Sequence, residues 1–270
     1  MRRCFPARFH PAAIAAIGIL AWPALSVGQA PNSSPAPATP VLVELFTSEG
    51  CSDCPPADDL LSRLDQEQPI PGVHVVVLSE HVTYWNHDGW TDPFSMIEMD
   101  GRQNDYAARF HLQSAYTPQA IVDGAEQLVG NSSRKVVDAI VHQAAQPTKP
   151  LEITMAALEK GSVRFTVQAP DVQSDHLYAA LAQDVTRSEV NRGENAGRTL
   201  HHVAVVRQMK EFRSKFADGH EISISTGNLD RRQGGGAVRL VVFLVDPHSG
   251  RVDGAAEHPL SAEQTQTSAR

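Results

Sequence analysis

Two patterns of apolar positions divide the chain. In the first half, short apolar runs alternate with segments of helical spacing. "VLVELF" (41–46) and "VHVVVLSEH" (73–81) are continuous runs with the length of fully buried strands. Between them, "DDLLSRL" (58–64) has the spacing of an amphipathic helix. Residues 95–110 place Met96, Met99, Tyr106 and Phe110 at helical intervals, with Gly101 weakening that helix. "YTPQAIVDGAEQLVG" (116–130) predicts two short strands about an Asp-Gly turn. "SSRKVVDAIVHQAAQ" reads as a helix that Asn131 can cap, and Pro147 and Pro150 end the region. The order β-α-β-α-β-β-α predicts a parallel strand pair with an antiparallel edge.

Beyond this point the pattern becomes strand-like. "LEITMAALEKGSVRFTVQAP" (151–170) predicts a hairpin about Lys160-Gly161. "LYAALAQDV" (177–185), "LHHVAVVRQMKEF" (200–212), "HEISIST" (220–226) and "AVRLVVFLVDPHSGRVDGAAEH" (237–258) continue it. The expectation is a separate all-β domain over 149–260, an antiparallel sandwich of about seven strands. "DRRQGGGA" (230–237) is expected to be a flexible connection, and 261–270 a disordered tail.

The N-terminus changes the chemistry that the composition implies. Arg2, Arg3 and Arg8 precede a broken apolar run from Ala12 to Val27, and small residues follow at Gly28 and Ala30. This predicts a cleaved export signal over 1–30, a Pro-rich linker over 31–40, and a periplasmic or secreted protein. Losing those three arginines and no acid takes the formal net charge from −8 to −11. Such a balance argues against nucleic acid as a partner, and no second apolar run of spanning length follows the signal. Cys4 leaves with the signal, so Cys51 and Cys54 become the mature chain's cysteines. A staple closing so small a loop removes little chain entropy, so the pair points to chemistry.

Cys51 and Cys54 stand where the first strand runs into the first helix, on the edge where such sheets place their sites. Cysteine reacts as the thiolate, which a helix N-terminus favours. Pro55 and Pro56 disfavour helical backbone before them, so the helix is expected to begin nearer Pro56. With Asp53 between the cysteines, this predicts a Cys51 thiol of modest acidity, suited to a reductant or exchanger. Cys51 is the expected attacking thiol and Cys54 the resolving one. Glu44, if its strand is central, is a desolvated carboxyl able to pass protons to Cys54; on an edge strand it is only solvated. Thr117-Pro118, between a helix and a strand, is where a cis peptide could present backbone to a bound chain.

The stretches "ELFTSEGCSDCPPAD", "HVTYWNHDGWTDPF", "YTPQAIVDG" and "NRGENAGRTLHHV" resemble a bacterial family of secreted proteins of unknown function with a thioredoxin-like fold and a CxxC motif. The resemblance spans about residues 41–260 and implies an α/β thioredoxin-like domain over 41–148. It implies that Pro118 is cis and faces Cys51, and that the double proline is a family feature. It implies no substrate. Gly50 departs from ordinary thioredoxins, which carry an aromatic before the first cysteine.

The aromatic loop starts on the cysteine edge, so His81, Tyr84, Trp85 and Trp90 are candidates to line a substrate groove. Packing of the tryptophans onto the domain is the plainer alternative. Arg192 and Arg198 are expected to dock the two domains, by salt bridges to residues such as Asp105 or Asp123. His201 and His202, being adjacent on a strand, must face opposite sides. Three functions compete. The first is an exported thiol–disulfide oxidoreductase acting on a protein or small thiol or disulfide, with no cofactor. The second is a copper- or zinc-binding protein using Cys51, Cys54 and His81. The third is a binding module without catalysis. Oligomeric state is left open.

Overall fold

A computed structural model of the chain describes Met1 and residues 38–260, apart from 160, 171, 173, 214, 215, 217, 218, 228 and 230–236. The expected signal after Met1, most of the linker, residues 230–236 of the expected connection and the tail lie outside the described residues. Thr39–Thr47 (β1) and Val73–His81 (β2) pair in parallel in register from Thr39–Val73 to Thr47–His81. They flank the helix Pro55–Glu67 (α1). Ile97–Arg109 (α2) follows, then the hairpin Gln119–Val122 (β3) and Glu126–Val129 (β4), and Ser133–Ala144 (α3). The hairpin turns through Asp123 and Gly124, both at positive φ (+44° and +61°), as an Asp-Gly turn requires. Ser132, not Asn131, stands at the N-cap of α3.

The second half supplies strands Glu152–Glu159 (β5), Ser162–Gln168 (β6), His176–Glu189 (β7), Thr199–Phe212 (β8), Ile222–Ser225 (β9), Val238–Val245 (β10) and Val252–Leu260 (β11). Their assembly overturns the expected fold class. There is no thioredoxin-like α/β domain followed by a separate sandwich. One mixed sheet of eight strands, in the order β11-β10-β7-β8-β2-β1-β3-β4, crosses both halves, and β5-β6-β9 form a second, three-stranded sheet. The described protein is mostly β, with three helices. The joint is β8, which pairs antiparallel with β7 and meets β2 in parallel at Ser79–Val205.

Packing explains why the halves do not separate. The buried cluster around β1 and β2 includes Ala180, Ala182, Val203, Val241 and Phe243 from β7, β8 and β10. The opposite faces of β7 and β10, through Leu177, Leu181, Leu240 and Val242, bury against Val163, Phe165 and Val167 of the small sheet. Strands apolar on both faces read from sequence as a sandwich core, and here they are the middle layer between two cores. Along β1, Val43 and Leu45 face α1 and α3. Glu44 and Phe46 face α2. The cysteine segment lies at the carboxyl end of β1, beside the tip of the β7–β8 hairpin.

Candidate functional site

Cys51 and Cys54 are joined by a disulfide, and both are buried, at 1% and 0% exposure. Ser52 and Asp53 between them face solvent. The helix begins sooner than the prolines led us to expect. Cys54 is the N-cap in right-handed helical backbone (φ −77°, ψ −40°), and Pro55 is the first helical residue. The missing proline N–H groups fall where a helix leaves N–H groups unpaired anyway. The next two N–H groups, of Ala57 and Asp58, donate to the Cys54 carbonyl at 2.8 and 3.1 Å.

Thr117-Pro118 is cis, and Pro118 is buried. Trp85 ties this peptide to the cysteine segment: its Nε1 donates to Thr117 Oγ1 at 2.7 Å. Its Cβ and carbonyl oxygen lie 3.0 and 3.1 Å from where a Cβ on Gly50 would stand. The space before the first cysteine is therefore filled by the aromatic loop, which is why Gly50 replaces a side chain there. Tyr84 is half-buried and donates to Gln103 Oε1 at 3.1 Å, and burial raises its pKa to about 12. His81 does not line a groove. It is 1% exposed, its Nδ1 is 2.7 Å from Asp92 Oδ2, and its ring meets that of His202 edge-on.

The tip of the β7–β8 hairpin, residues 190–198, is bonded to the cysteine segment. Asn195, itself 1% exposed, donates from Nδ2 to the carbonyls of Glu49 and Cys51, both at 2.9 Å. Glu194 Oε2 accepts from the Ser52 N–H at 3.1 Å. Gly193 and Gly197 hold the tip at φ +76° and +81°. Arg198 donates to Asn195 Oδ1 at 2.9 Å within the tip, and Arg192 is exposed. The anchoring expected of the two arginines falls instead to Glu194 and Asn195. Asp123 Oδ1 accepts from the Leu42 N–H, and Asp105 lines a cleft beside Arg102 and Arg109.

Beneath the cysteines is a buried charged cluster that pattern reading missed. Glu49 Oε2 accepts from Trp90 Nε1 at 2.8 Å and from Ser188 Oγ at 3.1 Å. Its Oε1 lies 3.3 Å from His202 Nε2. His202 Nδ1 lies 3.6 Å from Asp58 Oδ1. Thr47 Oγ1 donates to Asp58 Oδ2 at 3.3 Å. Burial pulls the His202 pKa down, but Asp58, Glu49 and Asp92 outweigh it and raise it to about 10. Burial also opposes ionisation of Asp92, yet His81 and the Glu49 and Phe94 N–H groups lower its pKa overall. From sequence, His202 was visible only as one of two adjacent histidines that must face opposite sides of a strand.

Glu44 is fully buried on a central strand, but its carboxylate is held by Arg102 Nε at 2.8 Å and by the Tyr106 hydroxyl. Glu80 lies 3.4 Å from the same guanidinium, and burial together with Glu44 raises its pKa well above normal. This network occupies the α2 face, whereas Asp58 and Thr47 meet on the α1 face. Among the described residues, no three His, Cys, Asp or Glu side chains are arranged to hold a metal ion. No described helix is long and apolar enough to cross a membrane.

Fold and site together define a mixed-sheet protein whose buried CxxC segment is bonded to a hairpin tip and flanked in sequence by the acids of a buried acid–imidazole cluster. Residues 42–244 match the family described as a protein of unknown function, DUF1223, and the chain belongs to that family. A crystal structure of a protein from Agrobacterium tumefaciens is similar in fold. It is 24% identical, covers 86% of this chain and 99% of its own, and has a TM-score of 0.59. A β-glucosidase from Kluyveromyces marxianus in complex with glucose matches at 10% identity over 43% of this chain and 14% of its own. Its TM-score of 0.16 carries no argument. No curated protein matches the chain.

Proposed function

We propose that the protein is an exported thiol–disulfide exchanger whose reacting pair is Cys51 and Cys54. The observation that carries this reading is their disulfide at the N-terminus of α1, where the helix dipole favours thiolate. In the reducing direction, the Cys51 thiolate attacks a substrate disulfide, forming a mixed disulfide and releasing one substrate thiolate. Cys54, deprotonated, then attacks Cys51 Sγ. The mixed disulfide breaks, the second substrate thiolate leaves, and the protein's own disulfide forms. Two electrons pass to the substrate, and each released thiolate takes a proton from water. The reverse sequence consumes a substrate dithiol.

Two carboxylates, Glu49 two residues before Cys51 and Asp58 four after Cys54, clamp one imidazolium, and Asp53 adds a third acid. That balance tempers thiolate formation, so the potential belongs below that of the strong oxidants at about −120 mV. Export to an oxidising compartment and a thiol- or disulfide-bearing partner fit this chemistry and complete the proposal. Burial of both sulfurs favours a second reading, in which the pair is only a staple in a binding module.

Trapping separates the two. Reduced Cys54→Ser, offered glutathione disulfide or a disulfide-bearing protein, should hold a mixed disulfide at Cys51, and Cys51→Ser should hold none at Cys54. Failure of the native variant to form any adduct would leave the staple reading standing.

A further inference from the structure

The exchange steps above make no use of the charged cluster behind the disulfide. His202 bridges the two segments that flank the cysteines. Glu49, two residues before Cys51, lies 3.3 Å from its Nε2, and Asp58 lies 3.6 Å from its Nδ1. Cys54 has helical backbone, so its side chain and that of Asp58, four residues on, project from one face of α1. All three side chains of the cluster are buried: His202 at 1%, Glu49 at 0% and Asp58 at 4%.

Each element packed around His202 contributes a group to the balance. Glu49 comes from the β1–α1 segment, Asp58 from α1 and His81 from β2. Asp92 reaches in from the aromatic loop, holding His81 at 2.7 Å, while the two imidazoles sit 4.6 Å apart. Across the sheet, the β7 partner of His202 is the uncharged Thr186. Asp58 Oδ1 and His202 Nδ1 each lack a hydrogen-bond partner and face each other at ion-pair distance. In a site closed to water, one charge added or removed at such range is weakly screened.

We infer that His202, clamped between Glu49 and Asp58, is a positioning residue that sets the electrostatic environment of the Cys51–Cys54 couple. The inference rests on the redox reading of the same site. With the pair reduced, the imidazolium offsets the two carboxylates and lowers the cost of a thiolate on Cys54, the sulfur that leaves when Cys51 is attacked. Removing His202 exposes that sulfur to two uncompensated acids. Removing the Asp58 charge does the reverse.

The test is the thiolate ultraviolet absorbance of the reduced full-length protein as a function of pH, for wild type, His202→Gln and Asp58→Asn. It requires no protein partner, only a small dithiol that reduces the pair beforehand. The thiol titration should move up by about one pH unit in His202→Gln and down by about one in Asp58→Asn. A merely structural role would loosen the site in both variants and would not give opposite signs. Shifts of opposite sign support the inference, and unchanged or same-sign titrations overturn it. If His202→Gln does not fold, the downward shift in Asp58→Asn decides alone. Failure of the redox reading would show elsewhere, as a wild-type protein whose thiols titrate while its Cys54→Ser variant forms no mixed disulfide.

Discussion

At the scale of single residues, the polar side chains with the most consequence are buried ones. His202 has a folded-state pKa of about 10 against a usual value near 6.5, because burial is outweighed by Asp58, Glu49 and Asp92. A raised folded-state value means that its contribution to stability is complete below about pH 6.5 and is lost as pH climbs through 10. Asp123 acts in the same direction. Burial raises its pKa to about 7 despite the Leu42 N–H, so its contribution is complete below about pH 4 and gone above 7. Denaturant titrations should therefore show stability falling between pH 7 and 10. His202→Gln should be less stable at neutral pH by about 3 kcal/mol, the scale for breaking a buried pair, with a flatter profile over that window. Equal slopes in the two proteins would show that His202 carries no such charge. These residues were hard to see in the sequence because Glu49, Asp58, Asp92 and Asn195 look like ordinary solvated positions. Cys51, Cys54 and Pro118 were legible because few residue types can replace them. Glu44 was legible as a buried acid, but not its partners, since Arg102 and Tyr106 lie on an element whose placement no local pattern fixes.

At the scale of elements, the β7–β8 hairpin does two jobs: its strands join the main sheet and its tip closes the site. The tip is held to the cysteine segment by Asn195 and Glu194 through three hydrogen bonds to backbone groups. Cys51 is 1% exposed and its carbonyl is bonded to the tip, so movement of the tip is the expected route to the sulfur. Removing two bonds of about 1 kcal/mol each should raise the open population at least tenfold. Asn195→Ala is accordingly expected to speed native-state reduction by a small dithiol about tenfold, measured by quenched alkylation. A rate equal to wild type would mean that the tip is not the gate. Individual strands and helices lie close to where hydrophobic spacing places them, because period and length are local properties. The helix start at Pro55 differs by a residue, since the prolines occupy positions where no N–H was needed.

At the scale of the whole molecule, the break in pattern near residue 150 is not a domain boundary in packing. β8 adjoins β2, and the core around β1 takes Ala180, Val203 and Phe243 from the second half. Nothing in the alternation of a strand states which neighbour it takes, and the β2–β8 contact rests on one register pair, Ser79–Val205. That long-range choice is what the sequence reading lacked. A chain ending at residue 148 should expose the β2 edge and this apolar surface, and should lack a cooperative melt by circular dichroism. A cooperative transition in that fragment would restore the two-domain view. The joined sheet also places the cysteines on one half and the hairpin tip and His202 on the other, so the surroundings of the disulfide depend on global packing.

The central claim is that the Cys51–Cys54 pair exchanges electrons in the folded protein. Equilibrating the full-length native chain in dithiol/disulfide buffers of graded potential, then counting alkylated cysteines by mass, tests it most directly. The account predicts a reversible two-electron transition in folded protein, at a potential below about −120 mV. A pair that stays oxidised until the protein unfolds would contradict it.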